Sequence, residues 1–459
     1  LAGRPLGVPV ILTGAMGGRA VPASVRGLWQ RFRQAQQDMP SGLMGWSLVV
    51  GGLAGLLGGA FRLGLAAVEG ERAKVLDALH RIGWMGWVVA VGAGAILVMV
   101  ARYLVVRFAP EASGSGVQEI EGALEGVRPV RWRRVIPVKF GAGLVALGSG
   151  LALGREGPTI QMGGCAGQLI GETRRLPGET QHVLVAAGAG AGLAAAFNAP
   201  FAGILFVVEE MRPQFRYSIP SAQAVVLACA ASDIVVRLMI GGSATIDMPS
   251  LAAPPLPAYG LFLIFGTLFG LFGVAFSRMI MSALDFLDRW PPLAVAAVVG
   301  GLTGALAFLD PALAGGGHHV LERALGGGFS LTALLLIFAA RFVTTPFNYA
   351  SGPPGGIFSP MLAIATLFGM AYGQVAHEIL PSLVPEPTLF AVAGMGALFA
   401  ATVRAPLTGI ILTAEITGNF GQILPLMVTC VAATIVAHGL GEHPIYASLL
   451  RRTLKRDGG

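Results

Sequence analysis

Apolar residues fill this chain in long runs, at 46–68, 83–106, 183–208, 222–240, 261–280, 293–309, 331–340, 390–401 with its continuation, and 424–437. Several approach the roughly 20 residues that a membrane-spanning helix needs, and others fall short. The short runs predict helices that stop inside the membrane. Backbone ends are tolerated at that depth only where they are buried in protein or line a cavity. Polar residues collect between the runs, often beside glycine or proline, and those junctions hold most of the candidate chemistry.

Composition supports a membrane protein. The 459 residues are 54% hydrophobic and 12% charged, with a mean hydropathy of +0.72. Soluble domains carry roughly 25% charged residues. A net charge of +7 would suggest a nucleic-acid partner in a soluble protein. Here it is read as basic cytoplasmic flanks, with no nucleic acid expected. Sixty-seven glycines suit close helix packing in lipid. Cys165, Cys229 and Cys430 all lie in apolar surroundings with no CxxC pair, as packing residues do.

Arg26, Arg31 and Arg33 precede the first run, and RRTLKR (451–456) follows the last. This bias predicts that both ends face the cytoplasm, with an even number of crossings between them. The apolar patch in the first twenty residues is too short and too broken by Pro and Gly to span, and it does not read as a signal peptide. The expected division is a basic segment at 1–45, transmembrane halves at 46–245 and 246–450, and a basic tail at 451–459, with no soluble domain after the last span.

The two halves resemble each other. AGAGAGLAAAFNAPFAGILFVVE (187–209) and AGMGALFAATVRAPLTGIILTAE (393–415) match at 11 of 23 positions at a spacing of 206. Many matches are Ala or Gly, but the shared Ala-Pro, the Gly-Ile and the terminal Glu are less easily obtained from composition. Upstream, GREGP (154–158) and GIFSP (356–360) form a second pair at a spacing of 202. Transporters built from repeats place their binding site where interrupted helices of both halves meet. The repeat also separates two neighbouring acids. Glu209 has Glu415 opposite it, which predicts a structural role such as satisfying a helix end. Glu210 has Ile416 opposite it, and an acid present in one half only is the better functional candidate.

Three Gly/Pro-marked turns, GSGVQEIEGAL from Gly114, GREGP from Gly154 and GGIFSP from Gly355, each predict a helix start. A helix start presents unpaired N–H groups and a partial positive charge, and glycine lets a small anion approach them closely. Such starts aimed at one point would hold a halide without a full countercharge, so the ion could leave again.

These turns, with the tyrosine in HPIYASLL (443–450), resemble the signature regions of the CLC family of chloride channels and proton/chloride exchangers, and most closely its bacterial exchanger branch. The likeness runs from about residue 46 to 456. It implies an all-α polytopic membrane protein of two inverted-topology repeats, with tilted and interrupted helices and no cytoplasmic regulatory domain. It also implies a multi-pass homodimer in the bacterial inner membrane, with one pore per subunit. By the resemblance, Ser115 contacts the central anion and Glu156 is the gating glutamate. The backbone N–H groups of Ile357 and Phe358 are anion donors, Tyr446 closes the inner side, and Glu210 transfers protons. Family channels usually carry an uncharged residue at that last position, so Glu210 favours an exchanger. The chain departs from the family pattern at Val117-Gln118, where Gln118 replaces a usual proline.

Other polar residues keep open readings. Arg155 either raises the local positive potential for anions or is a solvated flanking charge. Glu121 and Lys139 form a buried pair near the permeation path or serve packing or surface roles. His318-His319 is placed in a loop and, without clustered acids or Cys, is not read as a metal site. Asp233 and Arg237 are expected to pair at i,i+4. The functional expectation is chloride/proton exchange without a cofactor. A passive channel for chloride or another small anion is the alternative. An enzyme using Ser115 as nucleophile is disfavoured, because no base pattern and no G-x-S-x-G elbow accompany it.

Overall fold

The computed structural model describes residues 42–458 apart from 212–214 and 216. The expected basic segment at 1–45, with Arg26, Arg31 and Arg33, lies almost wholly outside the described residues. Among those described, the regular structure is helical. The first eight α-helices are α1 (Leu43–Arg81), α2 (Trp84–Phe108), α3 (Val117–Leu124), α4 (Trp132–Gly148), α5 (Glu156–Thr173), α6 (Gly178–Phe197), α7 (Pro200–Glu209) and α8 (Ile219–Ile240). The next eight are α9 (Tyr259–Leu287), α10 (Pro292–Leu309), α11 (His318–Leu325), α12 (Leu331–Ala350), α13 (Phe358–Ile379), α14 (Thr388–Val403), α15 (Pro406–Thr417) and α16 (Ile423–Gly439), and α17 (Ile445–Gly458) follows. Among the described residues, nine helices are long and apolar enough to cross a membrane.

The second set of eight repeats the first in order. An eight-residue helix stands third in each set, α3 and α11, and each starts after a left-handed glycine, Gly116 (φ 83°) and Gly317 (φ 98°). Both sets also break at the same place. The run expected at 183–208 is two helices, because Asn198 turns left-handed (φ 57°) and Ala199, preceding Pro200, is held out of the helical region. Arg404 (φ 72°) makes the same break between α14 and α15. Left-handed backbone costs a non-glycine residue roughly 1–2 kcal/mol. Arg404 is held there by hydrogen bonds to the carbonyls of Thr434 (3.1 Å) and Glu442 (3.0 Å).

The short helices α7 and α15 satisfy each other. Glu209, at the end of α7, accepts from the N–H groups of Leu407 (3.0 Å) and Thr408 (2.7 Å) at the start of α15. Glu415 of α15 accepts from Phe201 N–H (3.1 Å) and Ala202 N–H (2.7 Å) at the start of α7. Each carboxylate thus fills the orphan donors of the opposite helix. This is the structural role expected of the repeated acid. The exchange also requires the two helices to run in opposite directions, as an inverted repeat places them.

Small residues set the closest helix crossings. A Cβ added to Gly163 of α5 would strike the Gly188 carbonyl of α6, and one added to Gly188 would strike that of Gly163. Gly94 of α2 and Gly300 of α10 exclude each other's Cβ in the same way. Glycine-lined approach is how helices pack in lipid, where apolar burial supplies no net drive.

Three further sequence expectations are corrected. The span at 46–68 continues to Arg81, making α1 39 residues long, or about 58 Å at 1.5 Å per residue. Its polar second half is still a good helix former and reaches beyond a hydrocarbon core of roughly 30 Å. The run at 331–340 extends to Ala350 as α12. His318 and His319 open helix α11, because the preceding Gly317 supplies the left-handed entry. Residues 451–458 of the expected basic tail lie within α17, which Arg452 ties to Asp285 and Asp288 near the end of α9.

Candidate functional site

The three glycine-marked turns come together. Gly154 and Gly356 exchange two backbone hydrogen bonds, N–H to carbonyl at 2.8 and 2.7 Å. Gly114 N–H donates to the Pro353 carbonyl (3.1 Å), and the Gly114 carbonyl accepts from Gly355 N–H (3.0 Å). The starts of α3, α5 and α13 are therefore stitched to one another by main chain. Lys139, wholly buried in α4, donates to the carbonyls of Ala112 (3.1 Å) and Gly114 (2.7 Å) and so holds the first turn in place. The suggested Glu121–Lys139 pair is not formed, because these carbonyls take the ammonium group.

Glu156 is the first residue of α5, and it is fully buried. Its carboxylate reaches the start of α13, where it accepts from Phe358 N–H (2.7 Å) and Ser359 Oγ (2.9 Å). Two glycines leave room for it. The nearest atoms to a Cβ on Gly154 would be those of the Glu156 carboxylate, and a Cβ on Gly356 would meet the same carboxylate and Gly157 N. A negative charge thus rests on backbone and hydroxyl donors at a helix N-terminus, the arrangement that binds free anions. Ile357, the residue before α13, is likewise buried at this turn.

On the other side of the α5 start, Ser115 and Tyr446 are both buried and their hydroxyls face each other. Neither Ser115 Oγ nor Tyr446 Oη has a hydrogen-bond partner of good geometry. Gly157 is pressed against Ser115, since a Cβ there would stand 2.6 Å from Ser115 Oγ. The Phe358 ring lies 6.0 Å from that of Tyr446, centroid to centroid. Two orphaned hydroxyl donors beside a helix start suit a small anion, since a buried donor left unpaired is costly.

Glu210 caps α7 and is buried beside Glu121 of α3, the two carboxyl groups lying within hydrogen-bonding reach. A hydrogen bond between two carboxyl groups requires one to carry a proton. Arg155 is neither a free flanking charge nor paired with Glu156, because its Nε donates to the Ala196 carbonyl (3.1 Å) at the end of α6. It lines a cavity of about 300 Å³, shared with Arg72, His318 and Ser359. A second cavity, of about 500 Å³, lies on the α17 side and reaches Gly114, Gln118 and Tyr349. Asp233 and Arg237 pair as expected, at 2.6 Å.

Three contacts of this site were not found in the sequence. Tyr349 presents its hydroxyl to Ser115 N–H at 3.5 Å from within α12, where it reads as one more apolar position. Glu121 as partner of Glu210 joins residues far apart in the chain. The Ser359 hydroxyl was legible within GIFSP, but its acceptor was not.

A model of the family described as "Voltage gated chloride channel" matches residues 95–438. The chain is 49% identical over 425 residues, covering 91% of each chain, to the H(+)/Cl(-) exchange transporter ClcA of Vibrio parahaemolyticus serotype O3:K6. It is 46% identical over 432 residues to the protein of that name from Salmonella paratyphi A, covering 92% of this chain and 91% of the other. Among solved structures, a slow cyanobacterial Cl-/H+ antiporter superimposes with a TM-score of 0.89 at 41% identity, covering 92% of this chain and 100% of that one. A CLC-type fluoride/proton antiporter shares the fold, with a TM-score of 0.73 at 20% identity over 88% of this chain and 97% of that one.

Proposed function

Because the chain belongs to the voltage gated chloride channel family, we propose that it is a secondary active transporter exchanging chloride for protons across a membrane. The observation that carries this reading is the buried Glu156 carboxylate seated on Phe358 N–H and Ser359 Oγ. A carboxylate there is a tethered anion occupying donors that chloride would use. Protonation removes its charge and weakens its hold on both donors, so the side chain leaves and chloride takes its place. Proton and chloride then compete for one set of groups, which links their movements.

Ser115 and Tyr446 act as donors to the central anion, with backbone donors at Ile357 and Phe358 on its path. Ser115 is not a nucleophile in this scheme, since its hydroxyl faces Tyr446 and Gly157 rather than a base, and the protein is a transporter, not an enzyme. Glu210, hydrogen-bonded to Glu121, delivers protons from the cytoplasmic side towards Glu156. The protein works as a homodimer in the bacterial inner membrane, with both termini in the cytoplasm and its two transmembrane halves at 46–245 and 246–450.

Paired proton and chloride fluxes from purified protein in liposomes test the reading. An outward chloride gradient should drive protons inward against their own gradient. Chloride flux whose reversal potential follows chloride alone would replace exchange by passive conduction.

A further inference from the structure

The cavity on the α17 side carries more positive charge, and of a more specific geometry, than passage of a monovalent halide requires. Its wall holds Arg102, Arg128, Arg131, Arg134, Arg452 and Arg456 against the carboxylates of Glu111, Glu119 and Asp288. Three of the arginines are pinned in orientation by acids. Arg128 forks onto Glu119 (2.9 and 3.2 Å), Arg134 forks onto Glu111 (2.5 and 2.9 Å), and Arg452 bridges Asp285 and Asp288. A guanidinium has five N–H donors, and the Arg134 fork engages only the Nε–Nη2 edge of its own. The Arg131 guanidinium makes no hydrogen bond or ion pair among the described residues, and Arg102 Nε is buried without a partner.

The cavity floor is Gly114 and Gln118, the turn that leads to Ser115. Gln118 sits in the first turn of α3, is only 7% exposed, and its Oε1 has no partner. Half a turn of the amide would direct its NH₂ there instead, as a neutral donor at the helix start. Planar, pre-oriented guanidinium forks match the paired oxygens of a phosphate, whereas a spherical halide gains nothing from the fork. A pocket of about 500 Å³ falls within the range that ordinary small-molecule ligands fill.

We propose that this cavity is a binding site for a polyvalent phosphate-type oxyanion, and that its occupant slows transport by standing between one face of the protein and Ser115. The flux consequence rests on the transport reading above, while the binding itself does not. Inorganic pyrophosphate is the probe. Isothermal titration calorimetry of the detergent-solubilised protein in chloride-free buffer should detect binding, weakened about tenfold by Arg131→Gln, the loss of one charge-assisted contact. In liposomes of neutral lipid, millimolar pyrophosphate on both sides should lower chloride efflux several-fold, and Arg131→Gln should raise the half-inhibiting concentration by a similar factor. Sodium gluconate at matched ionic strength is the control.

A second arm replaces soluble pyrophosphate with phosphatidic acid in the vesicles. Inhibition there that Arg131→Gln relieves would assign the oxyanion to a lipid headgroup, and inhibition by pyrophosphate alone would assign it to a soluble phosphate. Equal loss of flux with gluconate, absence of calorimetric binding, or an unchanged response in Arg131→Gln would each overturn the proposal. A protein that carries chloride but moves no protons would leave this test intact, because chloride efflux and heat are its readouts.

Discussion

Substitution of Gly154 by alanine should disable the gate without touching the glutamate. The Gly154 backbone does not lie in the left-handed region, so alanine meets no conformational penalty there. The atoms nearest its new Cβ would all belong to the Glu156 carboxyl group, the flexible end of a side chain rather than backbone. The carboxylate must therefore leave Phe358 N–H and Ser359 Oγ. Hydrogen bonds to a charged group contribute about 1.5–3 kcal/mol each. Losing both shifts the occupied state by about 3–6 kcal/mol, a factor of roughly 10² to 10⁴ in population. Chloride efflux from liposomes should then persist with little dependence on pH and with weak proton coupling. A double-mutant cycle sharpens the test. Because the alanine acts through the carboxylate, Gly154→Ala added to Glu156→Ala should change nothing further. Wild-type coupling and pH dependence in Gly154→Ala, or effects of the two substitutions that simply add, would refute the placement of the gate.

Three further outcomes are expected. In the wild type, chloride flux should rise as pH falls, because protonation of Glu156 releases the donors it holds; stopped-flow or electrode measurements across pH should show this rise and its loss in Glu156→Ala. Glu210→Gln should abolish proton movement while chloride flux continues, and Glu121→Gln should slow proton flux selectively, read as a changed proton-to-chloride ratio in paired recordings. Glu209→Ala and Glu415→Ala should each lower the thermal unfolding temperature in detergent, since each strands two helix-start N–H groups of the opposite repeat at about 1–3 kcal/mol apiece; no change in either variant would contradict the reciprocal cap.

Much of the site was legible because its chemistry is local. A glycine before a helix start and a proline in the opening turn are written within five residues in both GREGP and GIFSP, and GREGP adds a carboxylate at the first helical position. The repeat was legible for a related reason. Asn198 and Arg404 differ chemically, yet the Ala-Pro that follows each forces the same break. The starts of α5 and α13 were legible in those turns but their lengths were not, because their many small and polar residues give no long apolar run, although both are well buried. The run at 183–208 was read as continuous because hydropathy does not register a single left-handed residue.

Sequence alone determined the membrane class, the doubling of the chain, the three glycine-marked helix starts and the acid, Glu156, that stands where the other half has Phe358. Packing of the two halves set which donors Glu156 occupies, that Glu121 faces Glu210 and not Lys139, and that Glu209 and Glu415 cap each other's helices. The reason is physical. A helix start declares its unpaired N–H groups through local residue types, but the acceptor that fills them can come from any part of the chain. Here those acceptors lie about two hundred residues away, brought within about 3 Å by glycine-lined crossings.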